Sequence, residues 1–286
     1  MRQDYSRTAE AVALARAVEQ ARPPSRRILD DPFAAHFLKN RWYRVIARSR
    51  MLSRLMLRFL DRWAPGGQEY LMLRARFVDD LAVRLAGEGV SQIIMLGAGL
   101  DDMALRIQPS LRDVTFYEVD HPATQALKRA GFARLGVPGN VRFVAVDFER
   151  DDVGTGLRQA GFDPTRRVLI VWVGVTYYLT ERAMARALVQ IAGLGSSGTR
   201  LVFDYILAEV AAGTSRNKDA LSKARRVAQL GEPWIFGLEP PRVADYLTSF
   251  GFTLLRDYEL SELHARYCPR RPPPMDYSRI VVCERK

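Results

Sequence analysis

The sequence predicts a doubly wound α/β fold: a seven-stranded, mostly parallel sheet with helices on both faces and a helical lid at the amino terminus. Three observations predict it. From Ser91 onward, short β-branched runs alternate with helix-compatible stretches. A glycine bend, Leu96-Gly97-Ala98-Gly99, follows the first run, and acids close the next two. All of these features fall at strand carboxyl ends, where open α/β sheets bind ligands.

In chain order, residues 1–85 read as an N-terminal helical lid or cap packed on a core of residues 86–286. The opening MRQDYSRTAEAVALARAVEQ is a polar-capped helix pattern, without the apolar core or cleavage site of a signal peptide. Residues 41–63 place seven arginines among Trp42, Val45, Ile46, Leu52, Leu55, Met56, Phe59 and Leu60. This is an amphipathic basic helix or pair of helices. We expect its apolar face to close the active site and its arginines to face solvent, with peripheral contact to an anionic membrane as the alternative. Next, Leu73, Phe77, Leu81 and Leu85 recur every four residues and define the buried stripe of a long helix.

The strand runs are SQIIMLGAG, DVTFYEVD, NVRFVAVDF, RVLIVWVGV, TRLVFDYI, FTLLRDYEL and SRIVVCER. Helix-compatible segments separate the first five, and PPRVADYLTSFGF precedes the sixth. Between the last two lies HARYCPRRPPP, too poor in helix formers for a crossover helix, so the final strand is expected as a loop-connected antiparallel one.

With 286 residues the chain can bury one large core. Its two cysteines, Cys268 and Cys283, form no CxxC or Cys/His cluster, so reduced thiols and no metal site are expected. No stretch has the apolar length to cross a bilayer, and a cytoplasmic location is expected. The net charge of +11 is almost all arginine excess. It fits an anionic partner (nucleic acid, membrane face or acidic substrate) or simply a solvated, arginine-rich surface.

The glycines let the chain turn tightly and let a ligand approach the backbone before a helix N-terminus. The third glycine of the dinucleotide fingerprint is missing, which disfavours a nicotinamide cofactor. Glu118 and Asp120 share one face of the second strand and suit ribose hydroxyls. Asp147 ends the third strand, where a carboxylate suits an adenine amino group, and Phe148 can pack on the ring. Arg74 falls within the apolar stripe of its helix, whereas Arg76 points away. A buried arginine needs a partner: either a ligand carboxylate or an internal acid such as Asp101 or Asp102.

These residues resemble the leucine carboxyl methyltransferase-like family, within it the bacterial, largely mycobacterial branch of class I O-methyltransferases, some from natural-product pathways. The likeness covers nearly the whole chain. It rests on ILDDPFAAHF at 28–37, RARFVDD at 74–80, IIMLGAGLDD at 93–102, YEVDHP at 117–122, VAVDF at 144–148, VWVGVTYYLT at 171–180 and GEPWIFG at 231–237. It implies the class I methyltransferase fold and S-adenosyl-L-methionine as cofactor. In that frame Arg74 corresponds to the arginine holding the methionine carboxylate and Gly97 lies in the glycine turn. Asp120 corresponds to the ribose acid, and Asp147 with Phe148 to the adenine pair. One departure stands out: the family commonly has an acid within the segment that here reads Trp172-Val173-Gly174.

Methyl transfer is an in-line displacement governed by positioning and exclusion of water. A carboxylate acceptor needs no base, whereas a hydroxyl usually does. The three histidines offer little: His121 belongs to the adenosine side, His36 to an N-terminal helix and His264 to a loop after the sixth strand. The catalytic candidates are Tyr177, Tyr178 and His264, with core packing the alternative for each. Tyr178, Trp234 and Phe236 are candidate walls of an apolar substrate site. The shortage of bases leans toward a carboxylate on a small molecule. The competing readings are an RNA or protein C-terminal acceptor, disfavoured for RNA by the lack of a binding module, and a non-catalytic cofactor-binding scaffold, motivated by Val173.

Overall fold

The computed structural model describes residues 7–63, 65–148, 151–229, 231–269 and 277–286. The first six residues of the expected opening helix and most of the expected PRRPPP loop lie outside these. Helices α1 (Arg7–Glu19), α2 (Arg41–Arg48), α3 (Arg50–Trp63) and α4 (Gly67–Gly87) precede β1 (Gln92–Leu96). There follow α5 (Met103–Arg106), β2 (Thr115–Asp120), α6 (Pro122–Leu135), β3 (Val141–Ala145), α7 (Val153–Gln159), β4 (Val168–Trp172) and α8 (Glu181–Ala192). The chain continues through β5 (Arg200–Ile206), α9 (Ala208–Ala211), α10 (Lys218–Gln229), α11 (Val243–Thr248), β6 (Phe252–Glu259), α12 (Leu260–Tyr267) and β7 (Ser278–Arg285).

Among the described residues the seven strands form one sheet in the order β3-β2-β1-β4-β5-β7-β6. β7 inserts between β5 and β6 and runs antiparallel to both, while β1 to β5 are mutually parallel. β1 and β4 are buried along their whole lengths, as central parallel strands covered on both faces must be. Alternation sends Ile94, Ile170 and Phe203 into one core layer and Ile93, Leu169 and Val202 into the other. Because β1 pairs with both β2 and β4, the strand order reverses there, and a crevice opens at its carboxyl end.

Two expectations need correction. The connection between β6 and β7 carries a helix, α12, where a loop was expected. Glu259 and Glu262 form a capping box at its start, and Leu260 and Leu263 bury its inner face. The antiparallel orientation is unaffected, since α12 is only eight residues long. Second, the apolar face of residues 41–63 does not turn wholly inward. α3 packs on α1 through a narrow side centred on Leu57, while Met51, Leu55 and Phe59 are exposed, as are Trp42 and Val45 of α2. Apolar residues wrap around more than one side of α3, and only one side meets α1.

Candidate functional site

A cavity of about 490 Å³ opens at the reversal point, between the β1 turn, α1, α4 and the segment after α10. That is a small-molecule volume (about 300–1,000 Å³). Gly97 and Gly99 bend the floor with φ of 67° and 53°, and the Gly97 and Ala98 amides both donate to the Val119 carbonyl. A Cβ on Gly97 would stand 2.7 Å from Val175 Cγ2, so the turn is closed to any side chain there.

Asp120 borders this cavity and accepts from the Gly99 amide at 2.5 Å and the His121 amide at 2.7 Å. Burial raises its pKa, and those two amides work against the rise. Glu118, two residues back, does not line the cavity. It is buried in an ion pair with Lys128, whose ammonium also lies 3.4 Å from the Ala98 carbonyl. Glu118 therefore supports the turn from behind.

Arg74 comes from the buried face of α4 and borders the cavity. Its internal partner is Asp204, within β5, rather than Asp101 or Asp102. Asp204 is fully buried and accepts from Arg74 Nη1 at 2.7 Å, the Gly174 amide at 2.7 Å and the Tyr70 hydroxyl. Tyr177 Oη lies 3.3 Å from the same Nη1, so both contacts leave from one guanidinium nitrogen. Gly174 packs directly over the guanidinium, its absent Cβ 3.2 Å from Nη1. Sequence reasoning missed Asp204. From the neighbouring strand it sets a buried carboxylate against the Gly174 amide. The signal available in the sequence was a lone acid inside the otherwise apolar strand run LVFDYI.

Asp101 and Asp102 belong to a second buried network with Asp31, Asp79, Arg16 and Arg106. Burial would raise the Asp101 pKa, but Arg106 and Arg16 more than offset it and hold the group below the usual range. Burial, then the nearby Asp31, pushes Asp102 well up, toward the neutral acid. Asp79 is raised to about 6, by burial above all. Asp79, Asp101, Arg16 and Arg106 all reach the cavity wall, so the network offers it paired charge of both signs.

Of the remaining candidates, Tyr178 lines the cavity, whereas Tyr177 is buried behind it in edge contact with Tyr178 and Trp234. The loop holding Trp234 and Phe236 does reach the cavity, but through Glu232, Pro233 and Ile235. Side chains alternate along this extended stretch. Trp234 thus stacks on Tyr277, and Phe236 enters the core beside Tyr246. Glu232, also missed from sequence, accepts from the Thr8 hydroxyl of α1 and bridges the two walls. Its charge, after burial, helps push the Tyr178 hydroxyl up to about 12.

His264 is buried on α12 and does not line the cavity. His121 caps α6, its Nδ1 accepting from the Ala123 amide, and His36 is exposed on a single helical turn. Phe148 is half-exposed and lines a neighbouring cavity of about 1100 Å³, which shares Leu96 and Val175 with the first. The Asp147 amide donates to Asp151, and the Asp147 residue borders neither cavity.

A family model described as leucine carboxyl methyltransferase matches residues 9–192. A Mycolicibacterium smegmatis protein assigned as an S-adenosyl-L-methionine-dependent methyltransferase is 34% identical over 201 residues, 69% of this chain and 64% of its own length. The chain thus spans a little under two thirds of that relative. A Mycobacterium marinum protein with the same assignment is 30% identical over 96% of this chain and 87% of its own. Among solved structures, one from Thermobifida fusca assigned as a methyltransferase aligns with a TM-score of 0.61 at 20% identity, covering 94% of this chain and 97% of that one, a likeness of fold.

Proposed function

The chain belongs to the leucine carboxyl methyltransferase family, and from that premise we propose that it methylates an oxygen of a small-molecule acceptor, using S-adenosyl-L-methionine. One observation carries the reading: the glycine bend, Asp120 and Arg74 border the same cavity as Tyr178 and Glu232. The residues fit the cofactor. The glycine bend borders the cavity without a side chain of its own, Asp120 offers a carboxylate to the ribose, and Arg74, its Nη1 held by Asp204, offers its remaining guanidinium N–H groups to the methionine carboxylate. We propose Phe148, in the neighbouring cavity beyond Val175, for the adenine side; Asp147, which borders neither cavity, would have to turn toward it to join the contact. When bound, the cofactor supplies an electrophilic methyl carbon on a cationic sulfur.

The acceptor would enter on the side of Tyr178, Glu232 and Ile235, with α1 and the Gly231–Ile235 stretch excluding water. Tyr178, held protonated, donates a hydrogen bond to the acceptor oxygen. Glu232 is placed to receive the proton that a hydroxyl gives up. This carboxylate meets the shortage of bases that favours a carboxylate acceptor on sequence grounds. It would also repel such an acceptor, so the geometry favours a hydroxyl.

Methyl-labelled cofactor supplied with small-molecule extract fractions tests the reading. The expected product carries a base-stable label, and Glu232→Gln lowers kcat about 10²–10⁴-fold without changing cofactor affinity. A base-labile ester made at undiminished rate by Glu232→Gln would move the acceptor to a carboxylate. Label confined to RNA or protein would reject the small-molecule reading.

A further inference from the structure

The α2–α3 hairpin presents a surface that neither the cavity nor the core uses. At about 100° per residue, Met51, Leu55, Phe59 and Trp63 advance by small steps around α3 and form one stripe. Met51 is 68% exposed, Phe59 56%, and Trp42 of α2 61%. Phe59 and Trp63 stack with their ring centroids 6.4 Å apart, which keeps both aromatic faces together at the surface. Single exposed apolar residues are ordinary; a contiguous stripe with aromatic members is not.

The charge beside this stripe is of one sign. Arg50, Arg54, Arg58 and Arg62 follow the same four-residue repeat on the adjoining side of α3, and Arg41, Arg44 and Arg48 belong to α2. Asp61 is the only acid from 41 to 63, and it pairs with Arg22 of the segment after α1. Among the described residues none of the seven arginines forms an ion pair with a protein acid. Such a patch complements a partner that is both apolar and anionic. A soluble anion would leave the stripe wet, and a second copy of the same face would bring arginines against arginines.

We propose that the α2–α3 hairpin docks on an anionic lipid membrane. The stripe enters the boundary between headgroups and acyl chains, and the flanking arginines meet the lipid phosphates. Trp42 and Trp63 suit that boundary because the indole is apolar with one polar N–H. α3 packs on α1, which itself contributes Thr8, Ala9 and Val12 to the cavity, so docking would place the membrane beside the helix that walls the site.

Flotation of the full chain with vesicles tests this, comparing phosphatidylcholine alone with mixed phosphatidylcholine and phosphatidylglycerol. The chain is expected to float with the mixed vesicles and not the neutral ones. Arg54→Gln and Arg58→Gln should each cut partitioning about fivefold, and Met51→Ser/Leu55→Ser/Phe59→Ser should abolish it while cofactor binding is unchanged. On the unaltered chain, mixed vesicles should shift tryptophan emission to the blue, and Trp42→Phe/Trp63→Phe should remove the shift. No flotation at low salt, or flotation undiminished in the triple variant, overturns the proposal. So does a lipid-free dimer that the same triple variant dissociates, since a second copy would then be the occupant.

Discussion

The carboxylate of Asp204 lies 2.7 Å from Nη1 of Arg74, and both residues are buried. The arginine arrives from a helix ahead of the sheet and the aspartate from within β5. Their pairing draws α4, the β4 turn at Gly174 and β5 together on one side of the cavity.

Replacing Asp204 with Asn should leave a buried guanidinium without its counter-charge. A loss of about 3–5 kcal/mol in unfolding free energy is expected, read from urea titration. Cofactor binding by calorimetry should weaken with it, because the orientation of Arg74 depends on this contact. A variant as stable as the parent would show that Arg74 finds another partner.

At Gly97, alanine meets two obstacles, a left-handed backbone and the Val175 methyl at 2.7 Å. Gly97→Ala should weaken cofactor binding by at least about tenfold, near 1.4 kcal/mol. Adding Val175→Ala should restore part of that loss, since it removes the collision but not the backbone strain. Full restoration would mean that φ at this position is unimportant.

Glu118 and Asp120 stand two residues apart on β2 yet should separate in their effects. Glu118→Gln strands the buried Lys128 ammonium and should lower stability by about 3–5 kcal/mol. Asp120→Asn should leave stability nearly intact and weaken the cofactor by about 1.5–3 kcal/mol, the range of hydrogen bonds to a charged group. Thermal melts and calorimetry on both variants decide it; the reverse pattern would exchange the two roles.

Partly buried Lys223 donates to the Tyr277 hydroxyl, and burial lowers its ammonium pKa to about 7, with Glu69 opposing. A folded-state pKa below the unfolded one contributes stability that is fully present above the unfolded value and lost as pH falls through about 7. Stability should therefore rise between pH 7 and pH 10, and Lys223→Met should flatten the rise. Carbon-13 methyl labelling followed by NMR titration should give this lysine a midpoint near 7 (a midpoint at the ordinary lysine value would refute the shift).

The sheet was legible because each strand carries its own signal. β1 and β4 read as continuous apolar runs, and Gly97, Asp120 and Asp147 sit where strands end. The substrate wall was less legible. Trp234 and Phe236 were the natural choices by residue type, but the extended backbone turns Pro233 and Ile235 to the cavity instead. Composition does not reveal the phase of an irregular segment. α12 was hidden for a related reason: its capping box, Glu259 and Glu262, lies within and just after what reads as the end of a strand.

Local periodicity and chain order alone determined the number and direction of the strands, the place of the glycine bend and the burial of Arg74. Those features depend on neighbours within a few residues. Tertiary structure decided the rest: that Arg74 meets Asp204 130 residues further on, that Glu232 reaches Thr8 of α1, and that α3 turns a greasy, basic side to solvent. Partners so distant in sequence meet only once the helices have packed on the sheet, and which face of a helix is covered depends on what else is there to cover it.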